Sequence, residues 1–196
     1  MKPSDILLAI SVPVIWATGF VLAKVALADF PAILLMALRF LLTAVILIWF
    51  FKPPMHLMKQ LFLIALVSAT IQYGLTFNGL KYLDASTAGL LIQSETPFCV
   101  LLAAILLKEK LTARMIIGLA VAMIGVAIIA GEPKLDGNEF AVALVLGGCV
   151  AWALGQIMVR RLGHVGGFVM ITWMAVLATP QMFLASWIFE NNQWSA

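Results

Sequence analysis

Seven long stretches of mostly apolar residues, parted by short polar breaks, organise the chain: 6–27, 31–51, 60–80, 85–107, 113–130, 140–159 and 165–189. Each is near the length of about 20 residues that an α-helix needs to cross a hydrocarbon core of about 30 Å. The runs are continuous and lack the short alternation of a membrane barrel. Helices also satisfy their own backbone in lipid, which open strands cannot do. The pattern predicts an all-α integral membrane protein with about seven transmembrane helices. The longest break, 131–139, reads GEPKLDGNE, an acidic loop with Gly and Pro that separates two bundles. The expected organisation is a first unit at 1–130 with five helices, a loop at 131–139, and a second, shorter unit at 140–196 with two.

Composition sharpens this reading. Of 196 residues, 64% are hydrophobic and 11% are charged, where a soluble domain carries about a quarter charged. The lipid bilayer is therefore a partner, and nothing resembles a basic nucleic-acid patch. Lys2, Lys52, Lys59, Lys108, Lys110, Arg114, Arg160 and Arg161 all fall on one side of the seven-helix topology. The other side carries Asp29, Asp84, Glu132, Asp136, Glu139 and Glu190, with only Lys81 and Lys134 among them. Basic loops stay in the cytoplasm. The N-terminus is thus expected to be cytoplasmic in a cell (inner or plasma) membrane, with the end of the seventh helix outside. Cys99 and Cys149 lie in apolar runs without CxxC spacing and read as buried small side chains. No P-loop or HExxH pattern occurs, and His56 and His164 fall in cytoplasmic loops. No cofactor, no metal and no catalytic residue is expected, so a membrane-embedded enzyme has little support. A non-transporting scaffold or assembly partner is the bland alternative.

Two segments resemble each other. VIWATGFVLAK (14–24) and CVAWALGQIMVRR (149–161) align with Trp16 on Trp152, Gly19 on Gly155 and Lys24 on Arg160. Five helices separate the copies, and an odd number inverts the second relative to the first. Inverted repeats are typical of secondary transporters. The segment STAGLLIQSETPFCVLLAAILLKEKLTARMIIGLAVAMIGVAII (86–129) points further. It has a polar, Pro-bearing break, a Glu109-Lys110-Leu111 turn, and a helix with Gly118 and Gly125. With the opening WATGF and Arg39-Phe40, it resembles the EamA branch of the drug/metabolite transporter superfamily, which includes O-acetylserine/cysteine exporters. Lys108 departs from the Gly that often precedes the turn's Glu. The resemblance implies an inverted-repeat bundle of about ten helices, so that about three lie beyond this stretch. It also implies export of small polar metabolites, such as amino acids or derivatives. Helices one and six would face the central cavity.

Three ionisable residues sit within helices: Lys24, Arg39 and Glu95. A charge near the bilayer centre costs about 2.5–3.5 kcal/mol on insertion scales and usually faces a cavity or a partner. Lys24 lies near a helix end and can snorkel to the interface. Arg39 is about 12 Å into helix two at 1.5 Å per residue, and Glu95 lies at a similar depth in helix four. An ion pair across the bundle is expected, either purely structural or responsive to a substrate or proton. Pro97 removes the donor that would bond the carbonyl of Gln93, which makes it a candidate hinge beside polar Gln93, Ser94 and Thr96. Gln72 and Thr76 share a helix face. They are candidate substrate contacts, with interhelical glue as the alternative. Trp16 and Trp152 lie near mid-span and are candidate cavity walls, with Gln156 one turn beyond Trp152. Gly19, Gly118, Gly125 and Gly155 are expected to seat helices against each other. For a carrier, Arg39 would hold a carboxylate, and Glu95 an amine or a coupling proton. Energy would come from proton coupling or substrate exchange. The oligomeric state is not legible.

Overall fold

The computed structural model describes residues 3–130, 137–163 and 165–190. Most of the expected loop 131–139, with Lys2, Lys134 and His164, lies outside them. Among the described residues every regular element is helical. They are α1 (Pro3–Ala26), α2 (Ala32–Leu47), α3 (Met58–Ala65), α4 (Gln72–Tyr82), α5 (Ala85–Ile92), α6 (Glu95–Leu106), α7 (Ala113–Ala130), α8 (Glu139–Leu162) and α9 (Gly167–Phe189). Two expected spans are composite. The third runs from Met55 to Tyr82 through α3, a π-helical turn at Leu66–Ile71, and α4. The fourth is α5 and α6, parted at Gln93–Ser94. Among the described residues six helical units are long and apolar enough to cross a membrane, and α2 is a shorter apolar helix of 16 residues.

The bundle is built around α8, which packs along α4, the π turn and α6, while α2 pairs with α9. Small residues make the approach to α8 close. A Cβ at Gly79 would lie 2.6 Å from Val145 Cγ2 and 2.7 Å from the Ala141 carbonyl oxygen. A Cβ at Gly148 would run into Thr76 Oγ1, and one at Gly155 into the Ser68 Cβ. Close backbone packing of this kind replaces the hydrophobic driving force that lipid removes. Gly155 therefore lies in close contact with Ser68, whereas Gly19, Gly118 and Gly125, also expected to seat helices, each have open space where a Cβ would stand. The physical reason is position. No residue of α7 is buried, and Gly19 looks into a hollow described below.

Polar side chains tie the helix ends. Lys24 does not snorkel. Its Nζ donates to the carbonyls of Leu80 and Lys81 at 2.8 and 2.9 Å, capping the negative end of α4. Glu190, just past α9, accepts from the N–H groups of Ile33 and Leu34 at 2.7 and 3.0 Å and from Ser186 Oγ at 2.7 Å. Here α2 starts behind Pro31, which has no capping side chain, so its first amides need outside acceptors. The carboxylate also meets the positive end of the helix. Glu190→Ala is expected to cost about 1–2 kcal/mol. It should raise hydrogen exchange at the Ile33 and Leu34 amides while leaving mid-helix amides alone. Unchanged exchange at those two amides would remove the cap. At the opposite end Arg161 Nη2 donates to the Leu106 carbonyl at 2.8 Å. There Arg160 pairs with Glu109 at 2.7 Å, an exposed pair worth little by itself. Trp49 and Trp187 stand exposed at helix ends, as interfacial anchors do.

Candidate functional site

A hollow of about 230 Å³ opens between α1, α2, α4, α8 and the α5–α6 break. The break delivers its carboxylate. Pro97 has no N–H to give the Gln93 carbonyl, so Thr96 N–H takes that oxygen at 3.3 Å. The preceding amides also reach back three residues, Gln93 to Leu90 at 3.1 Å and Ser94 to Leu91 at 3.0 Å. These tighter 3₁₀-type bonds end α5. Four-residue bonding resumes with Phe98 N–H on the Ser94 carbonyl at 3.0 Å. The discontinuity thus falls just ahead of Pro97 and makes Glu95 the first residue of α6. Cys149 Sγ on α8 approaches the Leu91 and Ile92 carbonyls at 3.8 and 3.9 Å, a weak donor to the loosened turn.

Both span charges, Arg39 and Glu95, line this hollow. They do not form the expected direct ion pair. The one ion pair found among the described residues joins Arg160 to Glu109. Arg39 is instead held by soft contacts. Its guanidinium carbon lies 6.0 Å from the Phe77 ring centroid, and Nη1 lies 3.7 Å from Met36 Sδ. The aromatic face takes the place a carboxylate would fill. The guanidinium is left with hydrogen-bond donors to offer.

The walls are aromatic. Trp16 stacks at a tilt on Phe20 with centroids 5.0 Å apart, and Phe20 lies 5.7 Å from Phe77. Tyr73 stacks on Phe77 at 5.6 Å. Trp152 of α8 closes the same hollow, so the two tryptophans aligned by the internal repeat face one space. Gln72 is buried in the wall, and its Nε2 donates to Thr76 Oγ1 at 3.5 Å.

Of the residues expected at a cavity, Trp16, Arg39, Gln72, Glu95 and Trp152 meet in this hollow. Three others do not. Gln93 is exposed and Gln156 half-buried, neither one a wall residue, and Thr76 is buried against Gly148 as helix glue. Their spacing put them on the right helix but one face aside. Phe20, Tyr73 and Phe77 are further walls, beyond the residues expected from the sequence. Trp16/Phe20 and Tyr73/Phe77 are each four apart, the spacing that stacks side chains on one face, and that signal was available. A larger hollow of about 440 Å³ lies between α2, α4, α8 and α9. Its walls are mainly hydrocarbon, and its carboxylate, Glu190, already serves the α2 amides.

Comparison with known proteins agrees with this architecture. The chain is 30% identical over 97% of its length to a protein of Salmonella typhimurium (strain LT2) named a probable amino-acid metabolite efflux pump. It is 28% identical over 98% of its length to the protein of the same name in Escherichia coli (strain K12). An uncharacterized transporter of Bacillus subtilis (strain 168) is 29% identical over the whole chain. The alignments cover 66%, 67% and 68% of those relatives, so the chain spans about two thirds of their length. No solved structure matches it. The model of the EamA-like transporter family matches residues 4–131. A multi-pass helical bundle with a polar, aromatic-walled hollow and that match over well more than half of the chain make it a member of the EamA-like transporter family.

Proposed function

We propose that the chain forms the substrate site of a secondary transporter for small zwitterionic metabolites, amino acids or close derivatives. The observation that carries this reading is the pair of unjoined, opposite charges on one aromatic-walled hollow. Arg39 presents a planar fork suited to a carboxylate, and Glu95 presents an acceptor suited to an ammonium. The size agrees. A cavity of about 150 Å³ holds benzene, so about 230 Å³ holds roughly nine non-hydrogen atoms. An α-amino acid with a short side chain has that size.

The mechanism in this reading is alternating access between two inverted units, the first at 1–130 and the second beginning after the loop 131–139. Trp16 and Trp152 are equivalent gates on either side of the site. The Pro97 break is the hinge of the fourth helix. The names of the enteric relatives favour outward transport. Described Lys52, Lys59, Lys108, Lys110, Arg114, Arg160 and Arg161 gather at the end where α2, α6 and α8 finish. That end is assigned to the cytoplasm of the inner membrane, which puts the N-terminus there too. Glu95 is also the candidate for a coupling proton, with substrate exchange as the other energy source.

Flux of radiolabelled L-serine into proteoliposomes tests the site. Glu95→Gln keeps the shape and removes the charge. A charge-assisted hydrogen bond contributes about 1.5–3 kcal/mol, so uptake at low serine should fall about 10- to 150-fold. Full uptake by a folded Glu95→Gln chain would remove Glu95 from the site.

A further inference from the structure

One cation of the bundle is tied to a helix other than its own, just beyond the hollow. Lys24, near the end of α1, gives two of its three N–H donors to the carbonyls of Leu80 and Lys81 at 2.8 and 2.9 Å. Both carbonyls belong to the last turn of α4, where a helix leaves its oxygens without internal partners. Lys24 follows Phe20 by four residues, and Leu80 and Lys81 follow Phe77 by three and four, so each lies one turn along the same helix face. Phe20 and Phe77 line the hollow with their rings 5.7 Å apart. The Lys24 contact therefore joins α1 to α4 about 5.4 Å beyond that aromatic wall, toward the end of the bundle away from the basic loops.

Few other contacts hold this seam. Ala23 is the one buried residue of α1 among those described, and the helix packs mainly on α5. The contact can also open at modest cost. No carboxylate pairs with Lys24 among the described residues. Its partners are main-chain oxygens at a helix end, which water serves as well. The ammonium is half-buried, on a stem long enough to carry it to the interface, so separation strands no buried charge.

The internal repeat supplies a second clasp at the opposite end. Lys24 aligns with Arg160. Arg160 pairs with Glu109 at 2.7 Å, and its neighbour Arg161 donates to the Leu106 carbonyl at 2.8 Å, which fastens the end of α8 to the end of α6. Alternating access needs one face shut while the other opens. Cations at opposite ends of two repeat-related helices supply one closure each.

We propose that Lys24 is a gate latch: its hold on α4 keeps the seam between α1 and α4 shut, and its release opens the hollow to that face of the membrane. This assignment rests on the reading of the hollow as the transport site.

Access to the hollow from each face tests it. Gly19 lines the hollow with room for a side chain, so Gly19→Cys in a Cys99→Ala background reports that access. A membrane-impermeant thiol reagent is applied to right-side-out and to inside-out vesicles with no substrate present. Lys24→Met keeps an apolar stem and loses the donors. It should raise the reaction rate from the face where α4 ends at least about 10-fold, the shift expected on losing a hydrogen bond made by a charged group. The rate from the face of the basic loops should not rise. Lys24→Arg keeps a cationic donor and should hold the rate near that of the unsubstituted latch. Unchanged access in Lys24→Met, a rise of the same size from both faces, or equal rates in the Met and Arg chains overturns the assignment. Serine uptake that ignores both Glu95→Gln and Arg39→Ala fails the underlying transport-site reading instead, whatever the access rates.

Discussion

Arg39→Ala is expected to reduce uptake of a small amino acid by two orders of magnitude or more while the chain folds normally. The fold contribution of this side chain is small. It contacts the Phe77 face and the Met36 thioether, and an open cation–π contact is worth about 0.5–1 kcal/mol. The substrate contribution is large. A guanidinium that grips a carboxylate with two charge-assisted bonds supplies about 1.5–3 kcal/mol per bond. Losing both raises the apparent dissociation constant roughly 10²- to 10⁴-fold. Arg39→Lys keeps the charge and loses the fork, so it should recover only part of the activity. The measurement is concentration-dependent uptake together with thermal unfolding in detergent. An Arg39→Ala chain with normal affinity would mean that the carboxylate is bound elsewhere or not at all.

Gly148→Ala should strongly destabilise the chain through the close contact between α4 and α8. The new Cβ would overlap Thr76 Oγ1, and it would stand 3.1 Å from the Gln72 carbonyl oxygen and 3.2 Å from the Thr76 nitrogen. Two of these three neighbours are backbone, so a rotamer change cannot relieve them and α4 must part from α8. Overpacking of a filled interior costs typically about 1–3 kcal/mol, and overlap with the short, branched Thr76 side chain, backed by two tight backbone contacts, puts Gly148→Ala at the top of that range. For a chain of this size about 3 kcal/mol lowers the unfolding midpoint by roughly 6–12 °C. Activity should fall with it, because Gln72 rides on the displaced turn. Gly118→Ala is the matched control. It meets nothing within 4 Å, and replacing a mid-helix glycine gains about 0.5–1 kcal/mol. If the two substitutions shift the midpoint alike, the close α4–α8 contact is not a determinant of the fold.

The helical membrane class was legible because hydrophobic run length is a direct physical consequence of bilayer thickness. The break in the fourth helix was legible for a similar reason. A proline inside a helix must orphan one carbonyl, and Gln93 is where that bond is rearranged. Arg39 and Glu95 stood out because a charge in such a run is costly enough to be rare. Their mutual relation was not legible. Depth along two helices is a one-dimensional quantity, and it leaves the rotation of each helix open. Rotation sent Arg39 onto Phe77 and not onto Glu95. Rotation also separated Gln72, which meets the hollow, from Thr76, one turn later and packed on Gly148. The π turn at Leu66–Ile71 adds a residue's worth of rotation just ahead of α4. No local composition signal announced it. Glycine was ambiguous for a further reason. Gly155 and Gly118 look the same in sequence, and only the presence of a neighbour distinguishes a seat from an open surface.

The claim on which the rest depends is that the hollow beside Trp16, Arg39 and Glu95 holds the substrate. Gly19 offers a direct probe, since it lines the hollow and has room for a side chain. Native Cys149 is buried and Cys99 half-buried, so Gly19→Cys in a Cys99→Ala background places one accessible thiol in the site. The measurement is its rate of modification by a small, water-soluble thiol reagent in proteoliposomes. The assay is run with and without a saturating mixture of glycine, alanine, serine, threonine and cysteine sulfonate as a thiol-free cysteine analogue. The account predicts modification in the empty state and slowing of at least about 10-fold with the mixture present, as full occupancy of a small cavity requires. A thiol that stays unreactive, or one that reacts at the same rate with and without the amino acids, would contradict it.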